Sequence, residues 1–140
     1  MTNIYQKYFL SIVFGVSLLA SLGSLYFSEI LGWAPCVLCW YQRVFMYSIV
    51  IVSALAIIFK DAKAYRYIIT LAVIGGLISL YHNLLYWGLI PESAGPCQNG
   101  VSCTAKYLEL YGFITIPFLC LLAFILITVI MIIDKKNENK

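Results

Sequence analysis

The sequence predicts an all-α membrane protein, a four-transmembrane-helix bundle with both termini in the cytoplasm. Of its 140 residues, 63% are hydrophobic and only 11% are charged. A water-soluble domain of this size could not bury so many hydrophobic side chains. Four apolar stretches are each long enough to cross a hydrocarbon layer of about 30 Å, which takes roughly 20 helical residues. Most Lys and Arg residues fall on one side of these stretches. We therefore expect residues 1–140 to form a single membrane domain.

The four predicted spans cover about residues 8–27, 40–59, 67–87 and 113–133. They use most of the chain and leave no room for a separate soluble domain or a nucleotide-binding fold. The first span resembles a secretory signal peptide in having Lys7 before an apolar run. That run is longer than the roughly 7–15 apolar residues of a signal peptide, so we expect a retained helix.

The distribution of cations predicts the orientation of the bundle. Seven cations lie beside the termini or between the second and third spans: Lys7, Lys60, Lys63, Arg66, Lys135, Lys136 and Lys140. Because cytoplasmic flanks carry the excess of Lys and Arg, this side should be cytoplasmic. Only Arg43 and Lys106 belong to the other side, so the loops at about 28–39 and 88–112 should face outward. The net charge of +3 thus reflects orientation in the lipid bilayer, not binding of nucleic acid.

The cysteines fall into two pairs and one single residue. The pairs are Cys36 with Cys39 and Cys97 with Cys103, and the single residue is Cys120. Four outward-facing thiols can pair in three ways. Local pairing is favoured, because a Cys-x-x-Cys at a helix start has little reach and Gly100 can turn the second loop. Such pairing implies a disulfide-permissive compartment, whereas Cys120, in the middle of the fourth span, is expected to be a small hydrophobe.

The position of Cys36 and Cys39 indicates reactivity. Closing so short a loop removes little chain entropy, so this bridge would be a poor staple. Pro35 suits the first turn of a helix, and a thiol at a helix N-terminus is stabilised as the thiolate that performs exchange. For Cys97 with Cys103, a purely structural bridge remains an open alternative.

Arg43 and His82 are the candidate cofactor-binding residues. Arg43 lies one helical turn deeper than Cys39 on the same face, and an ionisable side chain inside a membrane is a functional hypothesis by default. Its guanidinium could lower the pKa of Cys39 and donate to a carbonyl oxygen. The alternative is that Arg43 only snorkels to the interface. His82 lies at a similar depth, so the two should border one pocket, unless His82 is merely a bundle residue.

A dithiol needs an electron acceptor, and the sequence has no Rossmann glycines, no haem Cys-x-x-Cys-His and no iron-sulfur spacing. A quinone, a lipid-soluble two-electron carrier, fits between apolar helices. Two other classes stay open. A soft-metal transporter could use thiolates, but only Cys120 and His82 would continue its ligands into the membrane. A structural four-span protein stapled by two disulfides would leave Arg43 without a role.

The segment Cys36-Val37-Leu38-Cys39-Trp40-Tyr41-Gln42-Arg43 resembles the signature of the bacterial DsbB membrane thiol oxidases. The short outer loops are most similar to the BdbC branch of that family. The resemblance extends over nearly the whole chain, since one cysteine pair opens the second span, the other lies between the third and fourth, and Ile116-Pro117 opens the fourth.

The resemblance implies a thiol:quinone oxidoreductase that forms disulfide bonds at a bacterial cell membrane. Cys97 and Cys103 would exchange with an extracytoplasmic thioredoxin-like thiol oxidase of the DsbA or BdbD type. Cys36 and Cys39 would pass the electrons to a menaquinone or ubiquinone and so to the respiratory chain, and both pairs would be disulfides in the resting enzyme. No metal site is implied.

Within that scheme Cys39 would lie next to the quinone, with Arg43 as its nearby cation. His82, in Tyr81-His82-Asn83, matches a quinone-proximal histidine. The chain departs from the better-known branch in two respects: Gln42 stands where that branch often has an acid, and the loop from Cys97 to Cys103 is too short for an amphipathic helix.

Overall fold

The computed structural model describes residues 4–106, 111–112 and 114–140, and its main elements are four long helices. These are α1 (Ile4–Leu25), α2 (Val37–Phe59), α3 (Ala64–Tyr86) and α4 (Ile116–Glu138). Each is long and apolar enough to cross a membrane. The predicted all-α class with four spans is therefore confirmed.

The helices form a bundle in which each packs against two neighbours. α1 contacts α2 and α4, and α3 contacts the same two helices from the opposite side. The link between α2 and α3 is short because Lys60 adopts a left-handed conformation, with φ of 54°, and its N–H bonds to the carbonyl of Ala56. This residue ends α2 and turns the chain back along the bundle.

Several helix ends differ from the predicted bounds, by up to five residues, and two of them flank the first predicted outer loop. α1 continues as a π-helical turn, Tyr26–Ile30, three residues beyond the predicted end of the first span. α2 begins at Val37, three residues before the predicted start, because Cys36 caps it. The placement of Pro35 in the first helical turn is wrong, since Pro35 precedes this N-cap residue, whose own backbone is extended. The predicted start of the fourth span, at residue 113, lies outside the described residues.

One half of the bundle, which we call the packed end, is close-packed and apolar. Its fully buried side chains include Ile49 of α2, Ile68 of α3 and Phe124 of α4. Gly75 of α3 faces Phe124 so closely that an added Cβ would lie 2.5 Å from ring carbons. Without a hydrophobic force between helices in lipid, such close approach supplies much of the packing energy.

The chain ends and the α2–α3 link gather beyond the packed end. The Gln6 side-chain amide donates to the carbonyl of Ala62, 3.0 Å away, and Lys135 Nζ lies 5.5 Å from the ring centre of Tyr65. The cations that flank these segments therefore share one end of the bundle. The opposite end carries both cysteine pairs, and we call it the cysteine end.

Candidate redox site at the cysteine end

The second cysteine pair is joined as predicted. Cys97 and Cys103 form a disulfide between residues six positions apart, within the segment that links α3 to α4. Both residues are buried, with exposed fractions of 5% and 3%. They pack with Cys36, Leu38 and Leu85 in an apolar cluster, so the bridge lies against the bundle and not out in a loop.

The first cysteine pair is present as two thiols, in contrast to the disulfide expected at rest. The sulfurs of Cys36 and Cys39 are 3.0 Å apart, compared with about 2.05 Å in a disulfide. Cys36 is the N-cap of α2, and its sulfur accepts the backbone N–H of Cys39 at 3.3 Å. The helix start thus holds the two sulfurs within a small movement of bond formation.

The surroundings of Cys36 favour its thiolate. The side chain of Cys39, within hydrogen-bond distance, lowers the pKa of the Cys36 thiol, and so does His82, while burial acts in the opposite direction. From the sequence, we expected the thiolate at Cys39, stabilised by the guanidinium of Arg43. In the structure the helix N-terminus acts on Cys36, because the N-cap side chain receives the free backbone N–H.

The two cysteine pairs meet at Cys36 and Cys103. The sulfurs of these two residues and a ring nitrogen of His82 all lie within 4.8 Å of one another. The short loop therefore reaches the first pair without an intervening helix. The sulfur of Cys103 is thus close to that of Cys36.

Glu92 holds the loop around Cys103. Its Oε1 accepts the backbone N–H of Cys103 at 2.9 Å and the Ser102 hydroxyl at 2.7 Å, and its Oε2 accepts the Thr104 hydroxyl at 3.1 Å. These hydrogen bonds, that from Ser102 foremost, lower the pKa of the Glu92 carboxyl. A single carboxylate thus fixes three consecutive residues, with Cys103 in the middle.

His82 stands between the two pairs, deep in the bundle. Its Nε2 lies 2.9 Å from the carbonyl oxygen of Cys103 and 3.8 Å from the sulfur of Cys36. Its Nδ1 lies 2.9 Å from the side-chain nitrogen of Gln42. Both side chains are almost fully buried, so these contacts are sheltered from water.

Arg43 is buried and anchored to α1. Its Nε donates to the hydroxyl of Ser24 and its Nη2 to the carbonyl oxygen of the same residue, both at 2.7 Å. The guanidinium carbon also lies 5.3 Å from the ring centre of Trp40. With an exposed fraction of 9%, Arg43 does not extend to the surface as the snorkelling alternative requires.

A largely apolar cavity opens beside these residues. It is bordered by Cys39, Arg43 and His82, the three residues that the sequence placed nearest the acceptor. Its apolar wall includes Phe27, Trp33, Met46, Ile116 and Pro117. Phe27 and Trp33 are stacked, with ring centres 5.2 Å apart. A flat apolar ring with polar edges suits this cavity. The guanidinium and the cysteine sulfur at the border of the cavity are placed to contact the polar edges of such a ring.

Cys120 also borders this cavity, where the sequence suggested only a small hydrophobe among bundle residues. It comes from α4, which packs against both α1 and α3, and it contributes to the lining of the cavity. Tyr47, one turn beyond Arg43, borders the same space. Neither position has a sequence motif that would have identified it.

Among the residues that the structure describes, one group could offer a soft metal three donors: Cys36, His82 and Cys103. In the structure Cys103 is bonded to Cys97, so its sulfur is no thiolate and offers at most a weak ligand. The nearby ring nitrogen of His82 is already engaged by the Cys103 carbonyl. The arrangement therefore serves sulfur exchange better than metal binding.

Three functional contacts were missed by sequence reasoning: Gln42 with His82, Ser24 with Arg43, and Glu92 with the Cys103 loop. Each joins segments at least ten residues apart. A signal existed only for Gln42, whose polar side chain stands within a transmembrane helix. The partners of all three depend on how the helices and loop pack.

Comparison with known proteins gives one consistent family. Residues 6–133 match the family described as disulfide bond formation protein DsbB. The chain is 46% identical over 133 residues to the probable disulfide formation protein C 1 of Bacillus anthracis, covering 95% of this chain and 96% of that protein. It is 45% identical over 127 residues to the disulfide bond formation protein C of Bacillus subtilis (strain 168), covering 89% and 91%. No solved structure was found to match the chain.

Proposed function

Since the chain belongs to the DsbB family of disulfide bond formation proteins, we propose that it is a thiol:quinone oxidoreductase. It reoxidises a thioredoxin-like thiol oxidase outside the cytoplasm and passes the electrons to a membrane quinone. The observation that carries this proposal is the meeting of both cysteine pairs beside an apolar cavity, with the Cys36 and Cys103 sulfurs within 4.8 Å.

The first steps take place at the loop disulfide. A thiolate of the partner attacks the Cys97–Cys103 bridge, and the partner's second thiol resolves the mixed disulfide, leaving both loop cysteines reduced. The Cys103 thiolate then attacks Cys36 of the Cys36–Cys39 disulfide, and Cys39 leaves as a thiolate. The proximity of Cys103 to Cys36 supports this choice of sulfurs.

The next step transfers the electrons fully to the first pair. Cys97 attacks Cys103 in the Cys36–Cys103 disulfide, so the loop bridge forms again and Cys36 leaves with the electron pair. The products are a loop disulfide and two thiols at Cys36 and Cys39, the combination found in the structure.

The residues that border the cavity fit a quinone. A bound quinone would accept two electrons and two protons from the dithiol. Arg43 would hold a quinone oxygen with the N–H groups that do not bond to Ser24, and its two bonds to Ser24 fix the direction of the guanidinium. Cys39 borders the cavity, and Cys36, 3.0 Å from it, closes the disulfide again. His82 borders the same space and forms part of the proposed binding site.

The orientation we propose has the cysteine end outside the cytoplasm. The segments beside seven of the nine Lys and Arg residues gather at the opposite end, which the excess of positive charge identifies as cytoplasmic. Loop disulfides then face an oxidising compartment. The lipid bilayer supplies the quinone from the side of the bundle.

A turnover assay tests the proposal. Purified protein is mixed with a reduced thioredoxin-like thiol oxidase and a short-chain quinone, and quinone absorbance is followed. We expect steady turnover that Cys39→Ala abolishes, because the Cys36–Cys39 disulfide can then no longer form. Ser48→Ala is the matched control and should retain activity, because this exposed hydroxyl lies on the same helix and donates to the Val44 carbonyl.

Two results would contradict the proposal. One is absence of turnover with both benzoquinones and naphthoquinones. The other is turnover that survives Cys39→Ala. Thiol-dependent binding of a soft metal without quinone reduction would favour the transporter alternative, and a disulfide-stapled protein inert in both tests would favour the structural one.

A further inference from the structure

His82 is the only histidine of the chain, and its two ring nitrogens have different neighbours. Nδ1 faces the side-chain nitrogen of Gln42, and Nε2 faces the carbonyl oxygen of Cys103 and, farther away, the sulfur of Cys36. Two separate segments, α2 with its N-cap and the loop, therefore converge on an imidazole that α3 carries. The imidazole lies at the point where the two cysteine pairs meet.

These neighbours assign the tautomer of His82. An amide nitrogen only donates hydrogen bonds, so the Gln42 side chain requires Nδ1 to be the acceptor. A carbonyl oxygen only accepts, so Nε2 must carry the hydrogen that points to Cys103. The nitrogen that faces the cysteines is thus the donor, and the nitrogen that faces Gln42 is the acceptor.

We propose that His82 donates this N–H to the sulfur of Cys36 during exchange between the two cysteine pairs, and that Gln42 is the positioning residue that keeps the donor there. The proposal rests on the proposed function and assigns His82 a step within it. His82 borders the cavity as well, but a quinone oxygen could bond to its nitrogens only by displacing Gln42 or Cys103.

The step that benefits is the departure of Cys36. When Cys97 attacks Cys103, the Cys97–Cys103 bond forms, the Cys36–Cys103 bond breaks, and the electron pair moves to Cys36. The developing charge already has the backbone N–H of Cys39, 3.3 Å away. The His82 N–H, 3.8 Å away, can turn from the Cys103 carbonyl to the new thiolate. No proton is transferred in this step.

The position of the Cys103 carbonyl gives His82 a second effect. Before the thiolate forms, the same Nε2–H group lies 2.9 Å from the carbonyl oxygen of Cys103, measured from the nitrogen. This contact keeps the sulfur of Cys103 beside Cys36. Donor and reacting sulfur are therefore positioned by one contact. Losing the N–H should slow exchange while leaving the cavity and Arg43 in place.

The experiment measures exchange and quinone reduction separately. For exchange, oxidised quinone-free protein is mixed with dithiothreitol, alkylated at set times, and the state of each cysteine is read by mass spectrometry. For quinone reduction, the fully reduced protein is mixed with a short-chain quinone, and the half-saturating concentration is determined. A variant lacking Cys97 and Cys103 reports direct reduction of the first pair.

The variants differ in whether a donor remains. His82→Phe removes it, His82→Gln keeps an N–H near the place of Nε2, and Gln42→Met removes only the group that fixes the tautomer. A hydrogen bond to a charged group contributes enough that we expect His82→Phe to slow exchange about tenfold or more. His82→Gln should recover much of this rate, and Gln42→Met should fall between. Because His82 also borders the cavity, the half-saturating quinone concentration is measured in all three variants, and the exchange rate should change by the larger factor.

A spectroscopic measurement tests the assigned tautomer without any substitution. Because the chain has one histidine, selective ¹⁵N-histidine labelling of protein without a histidine tag reports His82 alone. We expect one protonated nitrogen, Nε2, in the wild type and a mixture of tautomers in Gln42→Met. A wild-type ring protonated at Nδ1 would overturn the proposal even if a variant failed to fold.

Two further outcomes separate this inference from the proposed function. If His82→Phe raises the half-saturating quinone concentration and leaves exchange unchanged, His82 serves the quinone and the inference is wrong. If the wild type exchanges disulfides but reduces no quinone, the proposed function fails, while the exchange rates still decide the role of His82.

Discussion

The helices meet through different side chains at the two ends of the bundle. At the packed end they meet through Ile49, Ile68 and Phe124, and the contacts are apolar and close. At the cysteine end they meet through Gln42, Arg43 and His82, which bond to the loop, to α1 and to each other across a cavity. Buried polar groups are costly unless they are paired, and at this end each of the three is hydrogen-bonded. The helices here are less closely packed, and they hold a defined set of donors and sulfurs around the cavity. Substitutions at the two ends should therefore have separable effects on stability and chemistry.

The largest expected effect comes from removing a loop cysteine. Cys97→Ala and Cys103→Ala should each abolish turnover with the protein partner, since neither retains a loop disulfide. They should differ in what accumulates: Cys97→Ala leaves Cys103 beside Cys36 and should trap a Cys36–Cys103 disulfide. Peptide mass spectrometry under non-reducing conditions checks this. Accumulation of a Cys36–Cys97 disulfide in Cys103→Ala to the same extent would contradict the geometry.

The next effect is at the anchored cation. Arg43→Ala should raise the apparent quinone KM about tenfold or more, because charged hydrogen bonds are stronger than neutral ones. Ser24→Ala removes one acceptor and leaves the carbonyl, so the rise should be smaller. Steady-state quinone kinetics measures both. Unchanged quinone kinetics in Arg43→Ala would leave Arg43 with only a structural role.

The packed end should show the reverse pattern. Gly75→Ala places a Cβ 2.5 Å from the Phe124 ring and should destabilise the protein by about 1–3 kcal/mol, the usual cost of overpacking. Gly76→Ala is the matched control, because its Cβ would lie 3.6 Å from Phe124 at ordinary contact distance. Thermal unfolding in detergent measures stability, and the quinone KM of the folded fraction should stay unchanged. A large change in KM would show that the two ends are not independent.

The smallest effect concerns the carboxylate that holds the loop. The pKa of Glu92 is lowered by its hydrogen bonds to the loop. Its contribution to the stability of the loop is therefore fully present above the ordinary glutamate pKa of about 4.3, and it is lost as pH falls through the lowered value. Glu92→Gln should therefore speed reduction of the Cys97–Cys103 bridge by a water-soluble phosphine roughly threefold at neutral pH.

The check is how the ratio of the two reduction rates, Glu92→Gln over wild type, depends on pH. Variant and wild type should converge at acid pH, where the wild-type carboxyl is protonated, provided that circular dichroism shows both still folded. Glu29→Gln, at an exposed glutamate in the π-helical turn after α1, is the matched control. A ratio that does not depend on pH would mean that the charge of Glu92 does not hold the loop.

The fold class and most of the site were predictable because they depend on local chemistry. Hydrophobic length and composition determine helices that span a membrane, and the signature from Cys36 to Arg43 identifies the family. Local pairing of Cys97 with Cys103 followed from chain reach. The bounds near Cys36 were missed by three residues because the cysteine itself caps the helix, which composition does not reveal.

By itself, the sequence determined that four apolar helices would form and which cysteines and cations would lie near one end. Only the tertiary structure decided which of these groups touch. It brought Cys103 to Cys36, bonded Arg43 to Ser24, and set His82 between Gln42 and the Cys103 carbonyl. The physical reason is that hydrophobic periodicity gives the depth of a side chain in the membrane, whereas the rotation and packing of neighbouring helices decide its partners.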